Sequence, residues 1–296
     1  MITFAQMKRN LSILIPTYND ACTVLVESLQ RQAETLGMED YEIVVADDGS
    51  TDDDILAQNR HINQLPHCRL IERSENCGRA AIRNFLAQQA RYEWLLFIDS
   101  DMVVSRLDFL RRYIETSADV VDGGVKIGNC VVGNLRSLYE KAAESAHTPE
   151  QRQQHPYQDF HTANFLVRRD IMLQHPFDLR FRHYGYEDVL FGKVLQQNGI
   201  DILHIDNPLS FEIYESNDAF VSKTEEGLRT LYRFQDELQG YSRILAHSRQ
   251  LAVFTPIIRL WHRLFGSFER RNLTGQHPSL TIFSLYRLGY YLSLSD

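Results

Sequence analysis

The sequence predicts an α/β fold with a mostly parallel central sheet flanked by helices. Three observations carry this expectation. Short apolar, β-branched runs alternate with stretches of helical spacing over the first hundred residues. The second and fourth of those runs stop at acidic turns. After residue 105 the alternation loosens into longer, more polar connections. Strands alternating with helices bury both faces of a parallel sheet, and right-handed crossovers bring the strand ends to one edge, where ligands bind.

Each element follows from its own pattern. LSILI (residues 11–15) is an apolar run closed by Pro16 and reads as a buried strand. Val24, Leu25, Leu29 and Ala33 give helical spacing within 20–36. YEIVVA (41–46) is a second strand, residues 52–62 a helix, and CRLIE (68–72) a third strand. Ala81, Ile82, Phe85, Leu86 and Ala90 mark a helix over 78–90, and WLLFI (94–98) a fourth strand. Beyond these, Gly123 and Gly124 interrupt an extended VVDGGVKIG, and a helix is expected near 135–144. The polar SAHTPEQRQQHPYQDFH (145–161) reads as a long loop, either a lid or an idle surface segment. TANFLVRRD gives a strand and short helix, 186–198 a helix, 201–205 a strand and 217–238 a long helix. The expected organisation is 1–105, 106–240 and a helical tail over 241–296.

Composition narrows the function. With 44% hydrophobic and 24% charged residues among 296, the chain can bury a core, which excludes wholesale disorder and fibrous repeats. A net charge of −8 argues against gripping nucleic acid through phosphates and suits a divalent cation. Cys22, Cys68, Cys77 and Cys130 are scattered without a C-x-x-C pair, so neither a zinc site nor a disulfide framework is expected. There is no signal-like start and no run of about 18 apolar residues, so a cytoplasmic location is expected, peripheral at most to the inner face of a membrane. The charge is uneven: residues 240–296 hold seven Arg and two acids, a net +5 that leaves −13 for 1–239. That tail also carries nine aromatics. A basic, aromatic amphipathic helix can lie on an anionic membrane, or pack its apolar face on its own domain or a second subunit as a homodimer.

Three acidic sites sit where elements end or begin. Asp47 and Asp48 open DDGSTDDD directly after IVVA. Carboxylates there can hold a uracil imide or a ribose hydroxyl, or simply cap the next helix through Ser50, Thr51 or Asp52. Asp99 and Asp101, in FIDSD, close the fourth strand, and two such carboxylates can converge on a hard cation. Glu187 and Asp188, in HYGYEDVLFG, open a helix, where their charge is favoured by the helix dipole. They can be capping residues or can supply a general base for an acceptor hydroxyl. Asn76, Gly78, Arg79, Arg83 and Asn84 offer basic and polar groups at another helix start; for Arg79 an ordinary solvent-facing position is favoured.

The ordered set PTYN, VVADDGSTDDD, N-x-G-x(4)-RN, FIDSD and YGYEDVLFG resembles glycosyltransferase family 2, in particular a bacterial subset with a YGYED motif. The resemblance spans about residues 10–240 and implies a GT-A fold and inverting glycosyl transfer from a nucleotide-diphosphate sugar. It implies that Pro16, Thr17 and Tyr18 border the nucleobase and that Asp47 or Asp48 binds uracil or ribose. It further places Arg83 on the nucleotide side, Asp99 with Ser100 at the ribose or metal, and Asp101 on the metal, Mn²⁺ or Mg²⁺. Asp188 would be the catalytic base and Glu187 would orient the acceptor, a glycan or lipid-linked hydroxyl of surface polysaccharide assembly. LHIDNP, with His204, also resembles that subset, in which a further His follows the Pro. Here PLSFEIYES has Phe211 and Glu212 in that region; Phe cannot bind a cation, so either Glu212 substitutes, Asp101 and phosphates alone hold the metal, or binding is weak. Two other classes compete: a catalytically inactive sugar-nucleotide or glycan-binding protein, and a nucleotidyltransferase. The latter usually carries a Gly-rich basic loop after its first strand, where this chain reads IPTYNDACT.

Overall fold

The computed structural model describes residues 10–294. Strands β1 (Leu11–Thr17), β2 (Tyr41–Asp47), β3 (Cys68–Glu72) and β4 (Trp94–Ile98) are linked by α1 (Thr23–Thr35), α2 (Asp53–Arg60) and α3 (Arg79–Gln89). Then follow β5 (Met102–Val103), α4 (Phe109–Ile114), β6 (Val120–Asp122), β7 (Val125–Ile127), α5 (Leu135–Ala143) and α6 (Pro149–Arg152). The next segment holds β8 (Asn164–Arg168), α7 (Arg169–Gln174), α8 (Glu187–Gln197), β9 (Ile202–His204) and β10 (Leu209–Phe211). Helices α9 (Asn217–Arg233), α10 (Arg243–Gln250), α11 (Thr255–Leu273) and α12 (Leu280–Ser293) complete it.

The main sheet has seven strands in the order β3-β2-β1-β4-β8-β6-β9, and a small sheet is ordered β5-β10-β7. In the main sheet only β8 runs against its neighbours; the other pairings are parallel. Every residue of β2 is buried. Its unbroken YEIVVA run follows from that: both faces are covered, so no polar alternation is left. Leu25, Val26, Leu29 and Ala33 of α1 cover one face with Phe109 and Tyr113 of α4. Ala80, Ile82, Leu86 and Ala87 of α3 cover the other with Phe191 and Leu195 of α8.

The polar stretch 145–161 is not an idle surface segment. Arg152, buried within it, pairs with Asp122 at 3.1 Å and meets His204 Nδ1 at 2.7 Å. Asp122 also accepts the N–H groups of Gly124 and His161 at 2.7 and 3.1 Å. His204 completes the cluster at 2.9 Å from the Pro156 carbonyl. Arg152 must donate and the carbonyl must accept, so His204 carries its proton on Nε2. Burial pushes its pKa down, against Asp122 and the Pro156 carbonyl. Gly123 is required here: a Cβ would fall 2.3 Å from Tyr113 Oη.

The C-terminal helices belong to the body of the molecule. Phe283, Tyr286 and Leu292 of α12 are buried, in two clusters that also take Val221, Leu228 and Leu231 of α9. The long helix α9 stops at Arg233, short of the expected 238, because Phe234 turns in to stack on Phe181 at 4.1 Å.

Candidate active site

The first acidic pair is bound into its own loop. Asp47, the last residue of β2, accepts the Ser50 N–H at 2.7 Å and its hydroxyl at 2.5 Å. Asp48 accepts Gly78 N–H at 2.9 Å, Cys77 N–H at 3.1 Å and Arg73 Nη1 at 3.1 Å. Burial pushes the Asp48 pKa up, and those donors offset part of it. Both carboxylates are buried, as is Thr17, whose hydroxyl donates to the Asp20 carbonyl. Tyr18 is 47% exposed at the end of β1. These residues therefore build a rigid rim at the strand ends.

The second and third pairs share one cleft of about 380 Å³, lined by Asp99, Asp101, Glu187 and Asp188. This size is in the range of small-molecule sites. Pro16, Thr17, Tyr18, Asp47, Asp48, Arg83 and Ser100 are not part of its lining. The two regions are nonetheless adjacent, since Asp48 holds Gly78, the residue before cleft-lining Arg79.

Arg83, expected on the nucleotide side, is 1% exposed and acts from beneath the cleft. It bridges Asp99 at 2.6 Å and Glu187 at 3.5 Å, joining the β4 end to the head of α8. Glu187 is pushed up in pKa by burial and by Asp188, against Arg79 and Arg83.

Asp188 stands in the first turn of α8, which starts from Gly185 at φ 95° and Tyr186 at φ 68°. This left-handed turn aims the helix N-terminus into the cleft. Its Oδ2 lies 3.7 Å from His161 Nδ1, an ion-pair distance rather than a hydrogen bond. Burial raises the pKa of Asp188, but His161, the Val189 N–H and Arg83 outweigh it, and the net shift is downward. His161 mirrors this: burial pushes it down, Asp188 with Asp122 and Glu140 push it up, and the net shift is upward. Each favours the charged form of the other.

Asp101 forms no hydrogen bond or ion pair among the described residues. It is open to the cleft but recessed, and burial and Asp99 push its pKa up to about 6. This oxygen donor, free of hydrogen bonds among the described residues and eased only at a distance by Arg136 and Arg79, fits a hard divalent cation, with Asp99 beside it. Among the described residues no three His, Cys, Asp or Glu converge, so the ligand's own oxygens and water would fill the shell. Glu212, the alternative ligand, is exposed, does not line the cleft, and lies beside Gly128. Phe211 is buried under the Arg136 guanidinium, 4.4 Å from its ring centroid.

The cleft also holds cations. Arg79, expected to face solvent, is exposed and also lines it, stacking over Tyr184 at 4.9 Å. Arg136 pairs with Glu215 at 2.5 Å, and Lys223 and Arg287 add to the wall. Sequence patterns missed Arg136, Lys223, Arg287, His161, His147 and Glu140. They come from the polar stretch, α5, α9 and α12, elements far apart in sequence, so no local spacing could have grouped them. The one local signal was His161, a His just before the buried TANFLV run.

A sheet of parallel strands ending in acids, crossed by an acid-headed helix, is the GT-A architecture. Solved structures share it: a mannosyltransferase from Pyrobaculum calidifontis in complex with GDP-Man and Mn²⁺ aligns at TM-score 0.59 and 16% identity, over 96% of this chain and 84% of that one. Glucosyl-3-phosphoglycerate synthase from Mycobacterium tuberculosis, solved with Mn²⁺, UDP and glucosyl-3-phosphoglycerate, aligns at 0.51 and 17% identity, over 76% and 80%. Residues 12–175, more than half of the chain, match the family model described as Glycosyl transferase family 2, and the chain belongs to that family. Among curated relatives, poly(ribitol-phosphate) beta-glucosyltransferase of Bacillus spizizenii is 36% identical over 122 residues, 39% of this chain. Chondroitin synthase of Escherichia coli is 31% identical over 119 residues, 40% of this chain. The matched segments span only 19% and 16% of those relatives. The described helices include none long and apolar enough to cross a membrane.

Proposed function

We propose that this chain is an inverting glycosyltransferase. It moves a sugar from a nucleoside-diphosphate donor, a UDP-sugar, to a hydroxyl of a glycan or lipid-linked acceptor in surface polysaccharide assembly. One observation carries the reading: Asp188, 3.7 Å from His161, lines the same cleft as Asp99 and Asp101. The relatives' names agree on glycosyl transfer or polysaccharide synthesis and differ in the polymer, so the acceptor is assigned only as a class.

In this reading Asp188 Oδ takes the acceptor hydroxyl's proton. The hydroxyl oxygen then bonds to the anomeric carbon as the bond to the diphosphate breaks, and configuration inverts. General-base help of this kind supplies about 10²–10⁴-fold. Glu187, buried and braced by Arg83, holds the acceptor side in position. Arg79, Arg136 and Lys223 supply fixed positive charge for the departing diphosphate. A bound Mn²⁺ or Mg²⁺, held by Asp101 with Asp99, would add charge neutralisation at that leaving group. Tyr18, with Pro16 and Thr17 behind it, borders the nucleobase, and the Asp47–Asp48 loop with Ser100 completes the donor side.

The test is Asp188→Asn. Transfer should fall about 10²–10⁴-fold while the thermal shift produced by UDP with Mn²⁺ is retained. Wild-type turnover by the variant removes Asp188 from the role. Wild-type protein that binds UDP-sugar without transferring or hydrolysing it is a binding protein instead, and pyrophosphate release from a nucleoside triphosphate marks a nucleotidyltransferase.

A further inference from the structure

Helix α11 divides its faces sharply. Inward, Gly266, Glu269 and Leu273 are buried. Outward, Ile257, Leu260, Trp261, Leu264 and Phe268 are 51–69% exposed, and Phe265 is 40% exposed. These positions recur every three or four residues, so they form one continuous apolar stripe about 16 Å long, at 1.5 Å rise per residue. Val253 and Phe254, 87% and 53% exposed, extend it at the N-terminal end.

The charges around the stripe select its occupant. Arg263 and Arg271 are exposed, lie toward one edge of the stripe, and form no ion pair among the described residues. The only acid on the helix, Glu269, is turned inward and accepts the Trp261 indole N–H at 2.9 Å. The segment 240–296 is +5 while the rest of the chain is −13. A two-fold contact between copies would set these arginines against each other with no acid on the helix face to pair them. An anionic bilayer surface offers what both halves of the face need: headgroup phosphates for the guanidinium groups and an acyl boundary for the aromatic stripe.

From this we infer that the outer face of α11 docks on an anionic lipid surface, as a peripheral contact and not a span. The inference is independent of the reaction assigned above. It gains meaning from it, because α12, which packs against α11, also sends Phe283 and Arg287 into the cleft wall. Docking would then hold the cleft close to the bilayer, where a lipid-linked acceptor resides.

The experiment is co-sedimentation of the full chain with vesicles of phosphatidylcholine alone or with added phosphatidylglycerol. Binding should require the anionic lipid and weaken in high salt. Arg263→Glu with Arg271→Glu should lower partitioning at least about tenfold, and Leu264→Glu with Phe268→Glu should abolish it. Both variants should keep the wild-type circular dichroism and melting temperature, since every altered side chain is exposed. UDP binding, read by thermal shift, should also be unchanged; a loss there would fault the donor-site reading, not this one. Equal binding to neutral vesicles, or none to anionic ones, overturns the inference. So does a stable dimer in solution that Leu264→Glu with Phe268→Glu splits into monomers.

Discussion

At the scale of single residues, the pair Asp188–His161 has a consequence for stability. His161 is raised above its ordinary value and Asp188 is lowered below its own. The His contribution is therefore complete below about pH 6.5 and disappears as pH rises through its folded value. The Asp contribution is present above about pH 4 and disappears as pH falls through its folded value. His161→Gln should thus be most destabilising, relative to wild type, between about pH 4 and 6.5. The difference should shrink at higher pH in urea-melt series. The side chains are 38% and 24% exposed, so solvent screens the pair and the effect stays modest. The carboxylates of this site were legible in the sequence because they stand where strands end and a helix begins, the edge at which such sheets bind ligands. His161 and Arg136 were not, because their meaning comes only from what the chain folds next to them.

At the scale of elements, α8 is the part on which the site turns. Its first turn carries Glu187 and Asp188, and its middle lies on the 153–159 segment. Gly192 permits this approach: a Cβ there would sit 2.3 Å from the Tyr157 carbonyl oxygen. Backbone cannot yield as a flexible side chain can, so Gly192→Ala should cost about 1–3 kcal/mol by overpacking. The same shift should displace Asp188, so turnover should fall more than UDP binding; chemical denaturation and a KM-against-kcat comparison would check both. The glycine's role was hidden in the sequence, where YEDVLFG reads as an ordinary helix with one weak position. The strands fared better. All four of the first runs form where the pattern predicts them; β1, β2 and β4 are largely buried runs, and β3 is a half-buried edge strand. The polar stretch 145–161 misled, since buried Arg152 and its partners look like surface chemistry until Asp122 and His204 are seen around it.

At the scale of the whole molecule, the C-terminal helices complete a body that would otherwise expose its core. Removing 241–296 would bare Val221, Leu228 and Leu231 of α9 and delete Phe283 and Arg287 from the cleft. A chain ending at residue 240 should therefore aggregate or lose its cooperative melt by differential scanning calorimetry. Sequence alone separated this segment by charge and aromatic content, and left open whether it packs or projects. The structure divides the roles: α12 packs and α11 faces out. One feature ties the halves together. A single interior guanidinium, Arg83, answers both Asp99 on one side of the cleft and Glu187 on the other. Anyone building a chimera by exchanging residues 11–98 for those of another family member must therefore import an arginine at this spot. Otherwise buried Glu187 and cleft-lining Asp99 both lose the cation between them, and the hybrid fails at the seam even if each parental segment is sound.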